Sequence, residues 1–216
     1  MHFPNFKIER KLISSYNFIA GCDEVGMGPL AGPVVAAVCV IKPEDFNKRK
    51  SVNNWFARIR DSKKIAEKER IVLEDLIKKN CLAFGIGESS VPEINKLNIH
   101  HARLLAMQRA CENIFKKTPE LKKQNGIILI DGKFIIPKLK ITQETFVGGD
   151  AKIISIAAAS ILAKNFRDRR MQKLHNTFPE YAFSSHKGYG TKKHIDAIRK
   201  FGSTKIHRKE FLKNIV

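Results

Sequence analysis

Residues 19–33, IAGCDEVGMGPLAGP, carry an apolar segment into two adjacent acids, Asp23 and Glu24, and then into a turn built on Gly26, Gly28, Pro29 and Gly32. A second apolar run, Val34 to Ile41, follows directly. Two such runs joined by a short glycine-rich link read as paired strands. Carboxylates at the end of a buried strand are costly to desolvate unless a cation compensates them. Neighbouring strand residues point to opposite faces, so one ion could take both acids only where the strand ends or bends. The glycines permit that bend. A solvated acidic pair at a hairpin turn is the alternative this stretch leaves open.

Residues 1–17 form a polar lead-in with some helical character, and residues 42–60 are polar and basic, with Trp55 and Phe56 as anchors of a loop or short helix. Asp61-Ser62-Lys63-Lys64 then precedes Ile65–Asn80, where Ile71, Leu73, Leu76 and Ile77 have helical spacing and Ser62 is the expected N-cap. Cys81–Gly87 reads as a strand. Ser90 to Glu93 is a cap signal for a long helix over Ile94–Phe115, with Ile99, Leu104, Leu105 and Met107 expected in the core. The run GIILI at 126–130 suits a fully buried central strand and ends at Asp131-Gly132. Ile141–Val147 is a fifth strand, and Gly148-Gly149-Asp150 leads into a helix over Ile153–Lys173. The small, apolar centre of that helix, AAASILA, should pack closely on a sheet, while its end, RDRRMQKLH, should be exposed. The order β-β-α-β-α-β-β-α predicts a mixed α/β sheet flanked by helices. The last forty or so residues hold HKGYG at 186–190 and a basic helix near Lys192–Lys200. They divide the chain into a body of residues 1–175 and a small helical segment, 176–216.

With 216 residues, 43% of them hydrophobic, the chain can bury one substantial core. Forty Lys and Arg against 21 Asp and Glu give a net charge of +19, spread along the chain. Such a surface suits a polyanion, nucleic acid first and an anionic membrane face second. No apolar run approaches the roughly 20 residues that span a bilayer, and MHFPNFKIERK lacks a signal-peptide apolar stretch. The four cysteines, Cys22, Cys39, Cys81 and Cys111, lack zinc spacing and read as buried free thiols of a cytoplasmic protein.

Asp23 with Glu24, Asp131 and Asp150 each stand at a strand end or a helix start, where sites form in α/β sheets. Four converging carboxylates would raise one another's pKa. All-oxygen ligation selects hard ions, Mg2+ or Mn2+, over zinc. A pair of such ions about 4 Å apart supports phosphodiester cleavage. With the basic surface, this pattern points to a metal-dependent nuclease.

DEVGMGPLAGPVVAA, DSKK, ILIDGK, GGDAK leading into SIAAASILAKNFRDR, and HKGYGTKKH resemble, in order, the motifs of ribonuclease HII, the type 2 ribonuclease H. The resemblance covers roughly residues 19–210 and implies an RNase H-like fold with a small C-terminal helical part. It further implies cleavage of the RNA strand of RNA/DNA hybrids and incision 5′ to single ribonucleotides embedded in duplex DNA, leaving 3′-hydroxyl and 5′-phosphate ends; the chain itself is read as a monomer. The family's metal-binding acids fall on Asp23, Glu24, Asp131 and Asp150. Its turn that senses the ribose 2′-hydroxyl falls on Gly26-Met27-Gly28, and its deoxyribose-packing tyrosine falls on Tyr189. Two positions depart from the family: Met27 stands where arginine is usual, and Gly148 where lysine is frequent.

Lys63, Lys64, Lys164 and Lys187 are either solvated or phosphate contacts, and Lys63 and Lys187 are taken as substrate-binding. Asp168 is assigned to a surface ion pair with Arg167 or Arg169 in preference to a metal ligand. His186 and His207 are expected near nucleic acid, and His100 and His101 on a helix surface. Two rivals remain: an RNase H-like metal nuclease acting on DNA, of resolvase or transposase type, and a non-catalytic basic nucleic-acid binder. The sequence carries no sign by which to read a sliding-clamp partner.

Overall fold

Five strands, β1 (Phe18–Val25), β2 (Val34–Val40), β3 (Ala83–Ser89), β4 (Gly126–Asp131) and β5 (Thr142–Phe146), form one sheet in the order β3-β2-β1-β4-β5. β1 pairs antiparallel with β2 and parallel with β4, which places the acid-bearing strand at the centre. The computed structural model describes residues 3–48, 54–213 and 215, so part of the expected 42–60 loop lies outside the described residues.

Nine helices accompany the sheet among the described residues: α1 (Lys7–Leu12), α2 (Glu67–Asn80), α3 (Val91–Leu97), α4 (Ile99–Lys117), α5 (Pro119–Lys122), α6 (Ile154–Thr177), α7 (Phe183–His186), α8 (Lys192–Phe201) and α9 (Lys209–Leu212). One face of the sheet, with Ile19, Val35, Ala37, Cys39, Ile127 and Leu129, packs in the cluster that holds the α6 residues Ile156–Ala163. The other face, with Phe18, Ala20, Cys22, Ala36, Val38, Ile128 and Ile130, packs with Ala102, Ala106, Met107 and Ala110 of α4. Burial on both faces explains why β2 reads VVAAVCV without alternation. The close approach of α6 depends on Gly21: a Cβ there would lie 2.0 Å from the Ser155 carbonyl carbon.

Several local expectations change. Ser62 does not cap α2, whose N-cap is Ala66; Ser62 is buried in a short 3-10 turn, with its hydroxyl 2.9 Å from that of Ser160. Ile71 is 47% exposed, because the buried positions of α2 go to Arg70, Leu73, Glu74 and Ile77. The long helix expected over 94–115 is two. Asn98, at φ 65°, breaks it, and its side chain accepts the N–H groups of His100 and His101 to start α4. Ser90 and Glu93 form the expected capping box on α3. The end of α6 is not simply exposed: Arg167, Asp168 and Met171 are buried, because the C-terminal helices cover it.

Those helices build a third cluster from Tyr181, Phe183, Ala197, Ile198 and Leu212, together with Met171 and with Leu30 and Ala31 of the glycine turn. A β-bridge between Ala31 and His207 joins the turn to the C-terminal segment. All four cysteines are free and buried. Among the described residues, no helix is long and apolar enough to cross a membrane.

Candidate active site

Asp23 and Glu24 pair with Ala37 and Ala36 of β2, and the ladder continues through Val25. The strand therefore neither ends nor bends at the acids, and the two side chains leave the sheet on opposite faces. Asp23 lies on the α6 side, where the Ser160 hydroxyl bonds it and where its Oδ1 accepts the Glu24 N–H at 2.7 Å. Glu24 lies on the α4 side, with Oε1 accepting from Arg103 Nη1 at 3.1 Å.

The parallel register sets Cys22 beside Ile130, so Asp131 follows alongside Asp23 at the same end of the sheet. Asp131 Oδ1 accepts the Gly149 N–H at 2.6 Å. Asp150 is the next residue, in the turn Gly149–Ala151 that opens into α6. Elements far apart in sequence thus deliver all four acids to one end of the sheet.

Their electrostatics agree with that placement. Burial pushes the Asp23 carboxyl well above the usual range, and the charges of Glu24, Asp131 and Asp150 push it further, against the Ser160 hydrogen bond. Glu24 is raised by burial and by Asp131, with Arg103 opposing. Asp150 is raised by burial and by Asp131, with Lys63 opposing. Burial works against the charge of Lys63, but Asp150, Asp23, Asp61 and Asp131 outweigh it and raise its pKa, so this lysine faces the acids. The carboxylates do not close into a cage: among the described residues, no three His, Cys, Asp or Glu side chains converge into a group that could hold a metal ion as they stand. Asp131 is drawn to Gly149 and Glu24 to Arg103, while Glu24 Oε2 is buried without a partner.

The glycine turn stands beside this group. Gly26 has φ +99°, and a Cβ there would lie 2.4 Å from Arg167 Nε. Arg167 donates to the carbonyls of Pro33, Ala31 and Lys187. Arg208 donates to those of Gly32 and Met27. Two buried guanidiniums thus hold the turn's carbonyls inward. The Tyr189 ring, 42% exposed, lies over Arg167 and 3.9 Å from where a Gly28 Cβ would stand. Gly28 and Tyr189 therefore share one surface, while Gly26 is buried against Arg167 and Met27 packs toward the α4 side.

Other residues settle differently from expectation. Asp168 is in no surface pair with Arg167 or Arg169: it is buried, bonding Arg70 at 2.8 Å and Lys164 at 2.7 Å. Arg169 instead pairs with Glu74. Arg70 also reaches Asn165 and the carbonyls of Ser62 and Ile65, which fixes the turn that carries Lys63. Lys187 is half-buried, with its ammonium on the Ser184 carbonyl. Lys64 stands 3.9 Å from Asp61. His186 and His207 are buried rather than presented at the surface, because they pack with His194, Tyr181 and Phe183. His100 and His101 are exposed on α4.

Sequence reasoning missed Ser160, Arg70, Arg103, Arg167 and Arg208. The signal available for Arg103 was its place four residues after Ile99 on one helix face.

The sequence profile of the family Ribonuclease HII matches residues 20–214. A Ribonuclease HII of Clostridioides difficile is 48% identical over 201 residues, covering 93% of this chain and 72% of that one. Among solved structures, the fold is similar to one of the PCNA:RNase HII complex from Archaeoglobus fulgidus, with TM-score 0.69 and 22% identity over 91% of this chain and 94% of that one. It is also similar to Bst-RNase HIII in complex with Mn2+, with TM-score 0.65 and 17% identity over 88% of this chain and 65% of that one.

Proposed function

The chain belongs to the ribonuclease HII family, and from that membership we propose that it cleaves the RNA strand of RNA/DNA hybrids and incises 5′ to single ribonucleotides in duplex DNA, leaving 3′-hydroxyl and 5′-phosphate ends. Ribonuclease H activity, the endonucleolytic hydrolysis of a phosphodiester, goes with the family, as does dependence on a divalent metal.

The observation that carries the finer reading is the delivery of Asp23, Glu24, Asp131 and Asp150 to one end of the sheet, where burial and mutual repulsion raise Asp23, Glu24 and Asp150. An all-oxygen donor set with a buried, unpartnered Glu24 Oε2 fits a hard divalent ion. These four residues would hold Mg2+ or Mn2+, and a bound pair of such ions supplies a nucleophile from water and stabilises the leaving 3′-oxygen.

The chain's own residues do the rest. The turn Gly26-Met27-Gly28 meets the ribose 2′-hydroxyl, the group that separates RNA from DNA, and its shape is held by Arg208 on the Met27 and Gly32 carbonyls and Arg167 on the Pro33 and Ala31 carbonyls. Tyr189 packs against the adjoining deoxyribose. Lys63, drawn toward the acids, and Lys187 meet phosphates, and the charge of +19 holds the duplex in a salt-dependent way. In this reading residues 1–175 are the catalytic body and 176–216 the substrate-binding segment, and the enzyme works in the cytoplasm as a monomer. A sliding clamp of the kind in the Archaeoglobus complex is the protein partner to assay.

The test is a gel assay on three duplexes, one with a single ribonucleotide, one a continuous hybrid and one all DNA, with and without divalent metal. Metal-dependent cutting 5′ to the ribonucleotide supports the proposal. Equal cutting of the all-DNA duplex would favour a DNA-directed nuclease of the same fold.

A further inference from the structure

The Arg103–Glu24 pair is unsaturated on both sides. One guanidinium N–H meets Glu24 Oε1 at 3.1 Å, while Arg103 Nε and Glu24 Oε2 are both buried without partners. The two side chains are 13% and 10% exposed. A guanidinium has five N–H donors in a fixed fork suited to carboxylate and phosphate oxygens, so this one holds unused donors at the rim of the acid group. The Phe134 ring lies against its other side, 5.1 Å from the guanidinium carbon. Phe134 is 55% exposed and follows Asp131 by three residues, so its ring carries this side of the acid group from the half-buried pair out to solvent. Across from it, Met27 turns an uncharged side chain onto the cluster that Ile99 joins, one helical turn before Arg103 on α4. The glycine turn therefore brings no cation of its own to Glu24.

We propose that Arg103 is a substrate-positioning residue: reaching in from α4, its guanidinium holds Glu24 and takes a phosphate oxygen of the bound strand, the cationic role that Met27 leaves open in the glycine turn. This rests on the reading of the acid group as a nuclease site. Position 27 and position 103 are then alternative anchors for one charge, since both side chains converge on the α4 side of Glu24.

The experiment measures binding and cleavage separately. Affinity for a duplex with one ribonucleotide is followed by fluorescence anisotropy in EDTA across a salt series, and kcat/KM is measured with Mg2+. Circular dichroism melts check that each variant folds, and Arg103→Gln, with the same expected outcomes, serves as the second variant if Arg103→Ser does not. Arg103→Ser is expected to shallow the slope of log K against log salt by about 0.9, the value of one phosphate contact, and to lower kcat/KM about tenfold or more. Adding Met27→Arg to that variant is expected to restore both. A folded Arg103→Ser protein with an unchanged salt slope would overturn the proposal, as would a double variant no better than the single one. Failure of the wild type to cut any duplex would instead overturn the nuclease reading, and the metal-free salt slope would still report whether Arg103 touches phosphate.

Discussion

Asp131 Oδ1 accepts the backbone N–H of Gly149 at 2.6 Å, joining the last residue of β4 to the residue before Asp150. The bond needs an oxygen acceptor but no charge, so Asp131→Asn should keep the geometry while removing one of the charges that raise Asp23 and Asp150. In metal-free buffer at neutral pH the variant is expected to melt a few degrees higher with duplex binding kept, and once Mg2+ is added its cleavage is expected to fall by roughly 10²-fold or more. A lower Tm would show that the charge at 131 stabilises the apo-protein.

Glu9 gives a pH dependence far from the acids. It is buried in α1 and accepts the Ser155 N–H at the start of α6, and burial raises its carboxyl from 4.5 to about 7 despite that bond. Because the folded pKa lies above the unfolded one, the folded state holds this proton more tightly. Its contribution to stability is then present below about pH 4.5 and lost as pH rises through 7, on the order of 3 kcal/mol. Glu9→Gln keeps the acceptor for Ser155 and should raise Tm at pH 8 with no gain at pH 4. Equal gains at both pH values would place the effect elsewhere.

Asp168 separates fold from chemistry. Asp168→Asn removes the partner charge of buried Arg70 and of Lys164, and breaking such a buried pair costs roughly 3–5 kcal/mol. Urea melts should register that loss. The folded variant at 25 °C should show the same midpoint as wild type in a Mn2+ titration of cleavage. A shifted midpoint would make Asp168 a ligand after all.

Two histidines tie the Tyr189 backbone to the C-terminal segment. His207 Nδ1 accepts the Thr204 N–H, His207 Nε2 and His194 Nε2 lie 3.2 Å apart, and His194 Nδ1 donates to the Tyr189 carbonyl. Only neutral rings satisfy this order. Burial and the neighbouring His194 lower His207 from 6.5 to about 4. With the folded pKa depressed, the stability it confers is present above pH 6.5 and lost as pH falls toward 4. His207→Gln should flatten that acid limb by about one proton. An unchanged limb would mean that His207 is not the group responsible.

The strands, the two helices that cover the sheet and the positions of the four acids could be read along the chain, because period-2 and period-3.6 patterns and strand-end carboxylates are local features. Ser62 and Asp168 could not. A serine before a helical run is usually its cap, and only the approach of Ser160 from 98 residues away turns Ser62 inward. A charged RDRR run is usually solvated, and only Arg70 and the C-terminal helices bury half of it. His186 and His207 sit in a basic, glycine-containing region that reads as a surface, yet their rings close a small aromatic core.

By itself the sequence determined the kind of sheet, the family and the motifs that carry the four acids, since apolar period and residue chemistry act over a few residues at a time. Only the tertiary structure decided which charge meets which. Asp23 and Glu24 face opposite sides of an unbroken strand, and Glu24 is met by Arg103, 79 residues away. Electrostatic partnership in a desolvated site depends on distances through space, and those exist only once α4 and α6 have packed on the two faces of the sheet.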